Sequence, residues 1–271
     1  MERFKKGKMN TNLMGRAIFP DSVRILQDDL QRVHSIDEIT PELDLQRGRE
    51  VYKNLERAAE RASLAIETDA TYPFFKSRNR RLGRRNYRRI QRGLLENHRE
   101  AWRYAQNTVG TNQTFSHKDL TLIGRILVPH QGLSLKTGYR KYDVKITGAS
   151  HNPTHPSMIQ AEVQGVMDQM ERWGPLEKAI YTHFHLARIH PFEDGNGRTA
   201  RMVQDAIMCG AGYFPIVVHP DERDLYITIL DEGCMDYYAG KPTYLRIFSE
   251  FLVGRTAKQL EAIQRRTRSR P

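Results

Sequence analysis

Residues 175–208, PLEKAIYTHFHLARIHPFEDGNGRTARMVQDAIM, read as helix, tight loop, helix. Leu176, Ala179, Ile180, His183 and Ala187 recur at three- and four-residue steps behind Pro175, which suits a first helical position. A second helical pattern runs from Arg198 to Met208 and ends near Gly210 and Gly212. Between them lies a glycine-rich turn, His190 to Gly197.

The loop has the composition of an anion site. Gly195 and Gly197 let backbone N–H groups approach a phosphate, and the following helix points its N-terminus at the same place. Arg198 and Arg201 are three apart and share a helix face, so two guanidinium forks suit a di- or triphosphate. Asp194 is a hard oxygen ligand of the kind phosphate-bound Mg²⁺ takes, and His190 can exchange a proton near neutral pH. Two rival readings fare worse. Gly195 to Ala200 fits the loose dinucleotide pattern G-x-G-x-x-A, but a helix precedes it where that pattern needs a strand. His183 and His185, two apart on a helix, point apart and cannot readily chelate one metal ion with His190.

Working outward, residues 45–67 and 84–106 carry helical patterns, with Pro73 closing the first. Residues 119–127 suggest another helix, 107–114 a polar loop, and Ser157 with Gln160 a capping box ahead of the stripe Ile159, Val163, Val166, Met167 and Met170. Helices over 222–239 and 243–253 complete the set. Residues 129–156 hold three prolines, three glycines and the alternation Tyr142, Val144, Ile146, which predicts a loop with a short β-hairpin. A loop of that length argues for a functional role.

The segment His190-Pro191-Phe192-Glu193-Asp194-Gly195-Asn196-Gly197-Arg198-Thr199-Ala200-Arg201 resembles the Fic family signature H-P-F-x-[DE]-G-N-G-R-x-x-R at every specified position, and the resemblance extends over about residues 50–253. It implies a mainly α fold: a Fic-type helical core with a short β-hairpin flap and an N-terminal helical regulatory segment. It also implies an enzyme that transfers AMP from ATP, with Mg²⁺, to a Ser, Thr or Tyr hydroxyl of a target protein. On that resemblance His190 is the general base, Phe192 holds the loop, and Asp194 binds Mg²⁺. Gly195, Asn196 and Gly197 form the anion hole, Asn196 meets the α-phosphate, Arg198 the β-phosphate and Arg201 the γ-phosphate. Gly195 stands where the related phosphotransferase branch has Ala or Lys, which favours nucleotide transfer. Gly138–Pro156 resembles the flap, with Val144 and Ile146 offering an edge to the target peptide. Ser63-Leu64-Ala65-Ile66-Glu67-Thr68 resembles the inhibitory motif [ST]-x-x-x-E-[GN], with Thr68 as a departure; Glu67 would pair with Arg201 and restrain the enzyme. Removal of AMP by the same site, with Glu67 orienting a water, is a further expectation. Tyr226 and Tyr238 are candidates for the base pocket.

The resulting organisation is a regulatory region at 1–114, a catalytic core at 115–253 and a basic tail at 254–271. The net charge of +11 is local. Residues 76–92 hold nine basic residues and no acid, the tail is +5 and the first eight residues are +3, so the remainder is acidic. The cationic run is either a solvated helix face or a nucleic-acid contact, and a basic nucleic-acid-binding regulator is the alternative to the enzyme. No run of about 18 apolar residues and no signal-type h-region is present, which argues for a cytoplasmic protein without membrane contact. Cys209 and Cys234 are too few for a disulfide framework. The sequence alone leaves a homodimer open.

Overall fold

In the computed structural model, residues 19, 23, 45–78, 84–128, 138–146 and 148–268 are described; the side chains of 45–49, 67–78, 84–91, 264 and 266–268 are not. The described chain is helical. In chain order the α-helices are α1 (Leu45–Arg78), α2 (Arg84–Ala105), α3 (His117–Leu127), α4 (Ile159–Met170), α5 (Pro175–Ile189), α6 (Asn196–Gly210), α7 (Arg223–Tyr238) and α8 (Arg246–Arg268).

Helix α5 is the axis of the molecule: every residue from Leu176 to Ile189 is buried. An all-round buried helix must satisfy its polar side chains internally. His183 does so by donating Nδ1–H to Gln204 Oε1 (2.6 Å) and accepting from the Tyr226 hydroxyl (2.8 Å). Burial pushes its pKa down to about 3, so the ring is neutral. Arg188, 2% exposed, pairs with Glu162 of α4 at 2.6 Å and lies 4.1 Å over the Tyr237 ring. Helix α6 packs along α5, and α1, α2 and α3 lie against it. Phe184, Phe192, Phe214, Phe248, Leu120, Ile123, Ile159 and Leu176 fill the spaces between them.

Several expectations need correction. The β-hairpin is absent: no strand occurs among the described residues. Residues 143–146 lack a ladder because side chains and a local turn anchor this segment instead. The Tyr142 carbonyl accepts from Arg140, the Ile146 carbonyl from Ala149 N–H (3.2 Å), and Ser150 N–H donates to the Asp231 carboxylate (2.9 Å). Helix α1 runs through Pro73 rather than stopping there, at the cost of one backbone hydrogen bond. The polar stretch after α2 is a π-helical turn, Gln106–Gly110. Ser157 makes no capping box; it sits in the 3₁₀ turn Pro156–Met158, its hydroxyl 2.8 Å from His155 Nδ1. Helix α8 continues beyond residue 253, with Leu260 and Ile263 buried in the core. The arginine-rich run joins the end of α1 to the start of α2, and its side chains up to residue 91 lie outside the described residues. Among the described residues no helix is long and apolar enough to cross a membrane.

Candidate active site

His190 ends α5. Its N–H donates to Leu186 O (3.1 Å), and its own backbone is left-handed, φ 54° and ψ 58°. A non-glycine residue held there costs on the order of 1–3 kcal/mol, so the surroundings must impose it. Its Nδ1 lies 3.3 Å from Ala187 O. A carbonyl only accepts, so Nδ1 carries the proton and Nε2 is the basic nitrogen.

Asn196 and Phe192 set the shape of the loop. The Asn196 side-chain oxygen accepts from Phe192 N–H (2.8 Å), and its amide donates to Phe192 O (2.9 Å). The Phe192 ring is fully buried against Tyr139 and Gly124. A Cβ on Gly124 would stand 2.7 Å from that ring. Gly124→Ala should therefore displace the ring and the loop it carries, lowering stability by about 1–3 kcal/mol by denaturant titration. The same substitution should lower activity more than a control such as Gly165→Ala, whose Cβ meets nothing within 4 Å.

Gly195 caps α6 with φ 79°, a backbone suited to glycine. Its carbonyl takes the first helical bond, from Thr199 N–H (2.8 Å). The first-turn N–H groups of α6 have no intrahelical acceptor and face the loop. Arg198 and Arg201, both buried, rise from the first and second turns. Arg198 donates to Leu127 O (2.8 Å) and forks onto both Asp194 oxygens at 3.3 Å. The Asp194 side chain is 48% exposed and also accepts from Gly195 N–H (2.6 Å). Arg201 Nε donates to Ser63 Oγ (3.0 Å), one of its terminal nitrogens to Ser63 O (3.2 Å), and its guanidinium lies 5.9 Å over Tyr226.

The structure thus brings together His190, Phe192, Asp194, Gly195, Asn196, Gly197, Arg198 and Arg201, and sets Ser63 of α1 against Arg201. Asn196, expected on a phosphate, uses its side chain to close the loop on Phe192. Tyr226 is 2% exposed, its hydroxyl meeting His183 (2.8 Å) and its ring lying under the Arg201 guanidinium. Tyr238 stacks on His151 and meets Arg188 at 3.3 Å. Val144 and Ile146 alternate with exposed Lys145 on an unladdered segment. The Glu67 side chain lies outside the described residues. Arg140, which no spacing in the sequence singles out, touches the His190 backbone.

Among the described residues no three His, Cys, Asp or Glu side chains gather as a metal cage. A single exposed carboxylate beside two arginines and a helix N-terminus fits a Mg²⁺ ion carried by phosphates. Residues 114–208 match the family model described as "Fic/DOC family". A protein named "Protein adenylyltransferase Fic" of Nematostella vectensis is 30% identical over 140 residues, 49% of this chain and 32% of that protein. One of the same name from Drosophila persimilis is 27% identical over 173 residues, 59% and 31% of the two chains. The chain therefore spans about a third of the length of these curated relatives. A Fic domain containing signaling protein from Bacteroides thetaiotaomicron shares the fold at TM-score 0.69 and 16% identity, over 92% of this chain and 98% of that one. Fic-1 of C. elegans shares it at 0.64 and 17%, over 89% and 71%.

Proposed function

We propose that the protein is a Mg²⁺-dependent adenylyltransferase that moves AMP from ATP to a Ser, Thr or Tyr hydroxyl of a target protein. The observation that carries this reading is the left-handed His190 at the end of α5, beside the Gly195-capped N-terminus of α6 with Arg198 on its first turn and Arg201 on its second. His190 Nε2 takes the hydroxyl proton as the oxygen bonds to the α-phosphorus. The bond from that phosphorus to the bridging oxygen breaks, and pyrophosphate leaves with its charge met by Arg198, Arg201 and the helix N-terminus. Mg²⁺, when bound, would be held by Asp194 and would neutralise phosphate charge. Residues 143–146, which form no ladder, would offer main-chain groups to a target strand beside Val144 and Ile146.

Helix α1 restrains this chemistry. Its Ser63 already meets Arg201 through hydroxyl and carbonyl, and Glu67 lies one turn further along the same helix. A carboxylate from that turn competes with the γ-phosphate for Arg201. Glu67→Gly should raise auto-labelling from radiolabelled ATP at least about tenfold, the scale of one charged hydrogen bond. Unchanged labelling would remove the brake from the proposal. Pre-modified target incubated with the parent enzyme and Mg²⁺ tests the reverse direction by the AMP it releases.

A further inference from the structure

We infer that Arg140 is the positioning residue that fixes both the general base and the loop that presents the target, an inference resting on the role of His190 just given. Arg140 is 3% exposed, and the hydrogen-bond acceptors of its guanidinium are all carbonyls, with Asp143 the carboxylate whose charge also reaches it. Nε donates to His190 O (2.8 Å), one terminal nitrogen to Tyr142 O (2.9 Å), and the other to Thr154 O and to Ile189 O (3.4 Å). Its backbone N–H donates to Pro191 O (2.9 Å).

A buried guanidinium is costly unless its donors are used, and here they converge on three places at once. Ile189 and His190 are the last carbonyls of α5, where a cation is favoured by the helix dipole. Pro191 begins the loop. Tyr142 and Thr154 are the two feet of the segment that carries Val144 and Ile146. The peptides on either side of the His190 Cα are thus held by their carbonyls, Ile189 O and His190 O, and the next one by Pro191 O, which accounts for a non-glycine residue resting at φ 54°. One planar fork reaches all of these partners; a lysine ammonium offers a single nitrogen and cannot. The nucleotide's own contacts come from α6 and do not pass through Arg140.

The consequence is a split in kinetics. In the Glu67→Gly background, Arg140→Ala should lower kcat for transfer to a target by about 10²-fold, the cost of a misplacement near 1 Å. Arg140→Lys should lose about tenfold, the KM for the target should rise, and the KM for ATP should stay within about twofold. Free guanidinium ion at millimolar concentration should restore part of the Arg140→Ala rate. A kcat within about threefold of the parent, or a parallel fall in kcat, ATP affinity and thermal midpoint, would overturn the inference in favour of a purely structural role. If Arg140→Ala does not fold, Arg140→Lys decides by the same split. If the Glu67→Gly parent transfers no AMP, the proposed function fails instead, and NMR of the histidine rings still tests Arg140. A His190 resonance displaced in Arg140→Lys with His183 and His185 unmoved supports the assignment, and an unmoved His190 sinks it.

Discussion

Adding His190→Ala to the Glu67→Gly variant is expected to lower AMP transfer by about 10³-fold, within the range for loss of a positioned general base. The structure supplies the reasons for expecting the loss to fall on chemistry. The imidazole is oriented by Ala187 O, and the backbone at 190 is held by hydrogen bonds from Arg140 and to Leu186 O. None of these backbone bonds requires the imidazole. Alanine at 190 therefore leaves α5 capped and leaves Arg198 and Arg201 in place on α6. ATP binding by calorimetry should change by less than about threefold while initial rates of radiolabel incorporation collapse. A parallel loss of ATP affinity would reassign the histidine to nucleotide binding.

The second large effect concerns the frame. Gly210, at the end of α6, is crossed by the π-helical turn so closely that an added Cβ would stand 1.8 Å from Gly110 O and 2.8 Å from Gly110 Cα. Those neighbours are backbone, so no rotamer change relieves the clash. Gly210→Ala should cost about 3 kcal/mol or more, the upper end of overpacking, and lower the thermal midpoint by roughly 6–12 °C. Gly93 on α2 makes the internal control, since a Cβ there meets nothing within 4 Å. Its alanine variant should gain about 0.5–1 kcal/mol from helix propensity. Equal midpoints for the two variants would show that the 110–210 crossing opens at little cost.

The contrast between what the sequence discloses and what it conceals follows from range. The α5–loop–α6 unit is legible because its glycines, its arginines and its 3.6-residue period lie within one short segment. The hairpin is misread because three alternating residues look alike whether they pair in a ladder or are pinned by Arg140 and Asp231, the second of which lies 81 positions from Ser150. The second role of Asn196 is hidden for a related reason: residue type announces an amide, but only the fold shows that both of its ends close on Phe192. Tyr226 is chosen as an aromatic near a base site, whereas the fold spends its hydroxyl on His183. Arg140 carries no local signal, because its partners are carbonyls up to 50 residues away.

The contact between Ser63 and Arg201 has one more consequence. Both groups belong to one chain, so on the proposed reading α1 acts as a tethered competitor of ATP at an effective concentration in the millimolar range or above. Its occupancy of Arg201 is then governed by how firmly residues 45–78 stay helical and docked. Any partner, modification or temperature change that loosens that helix would raise the apparent affinity for nucleotide without altering a single atom between His190 and Arg201.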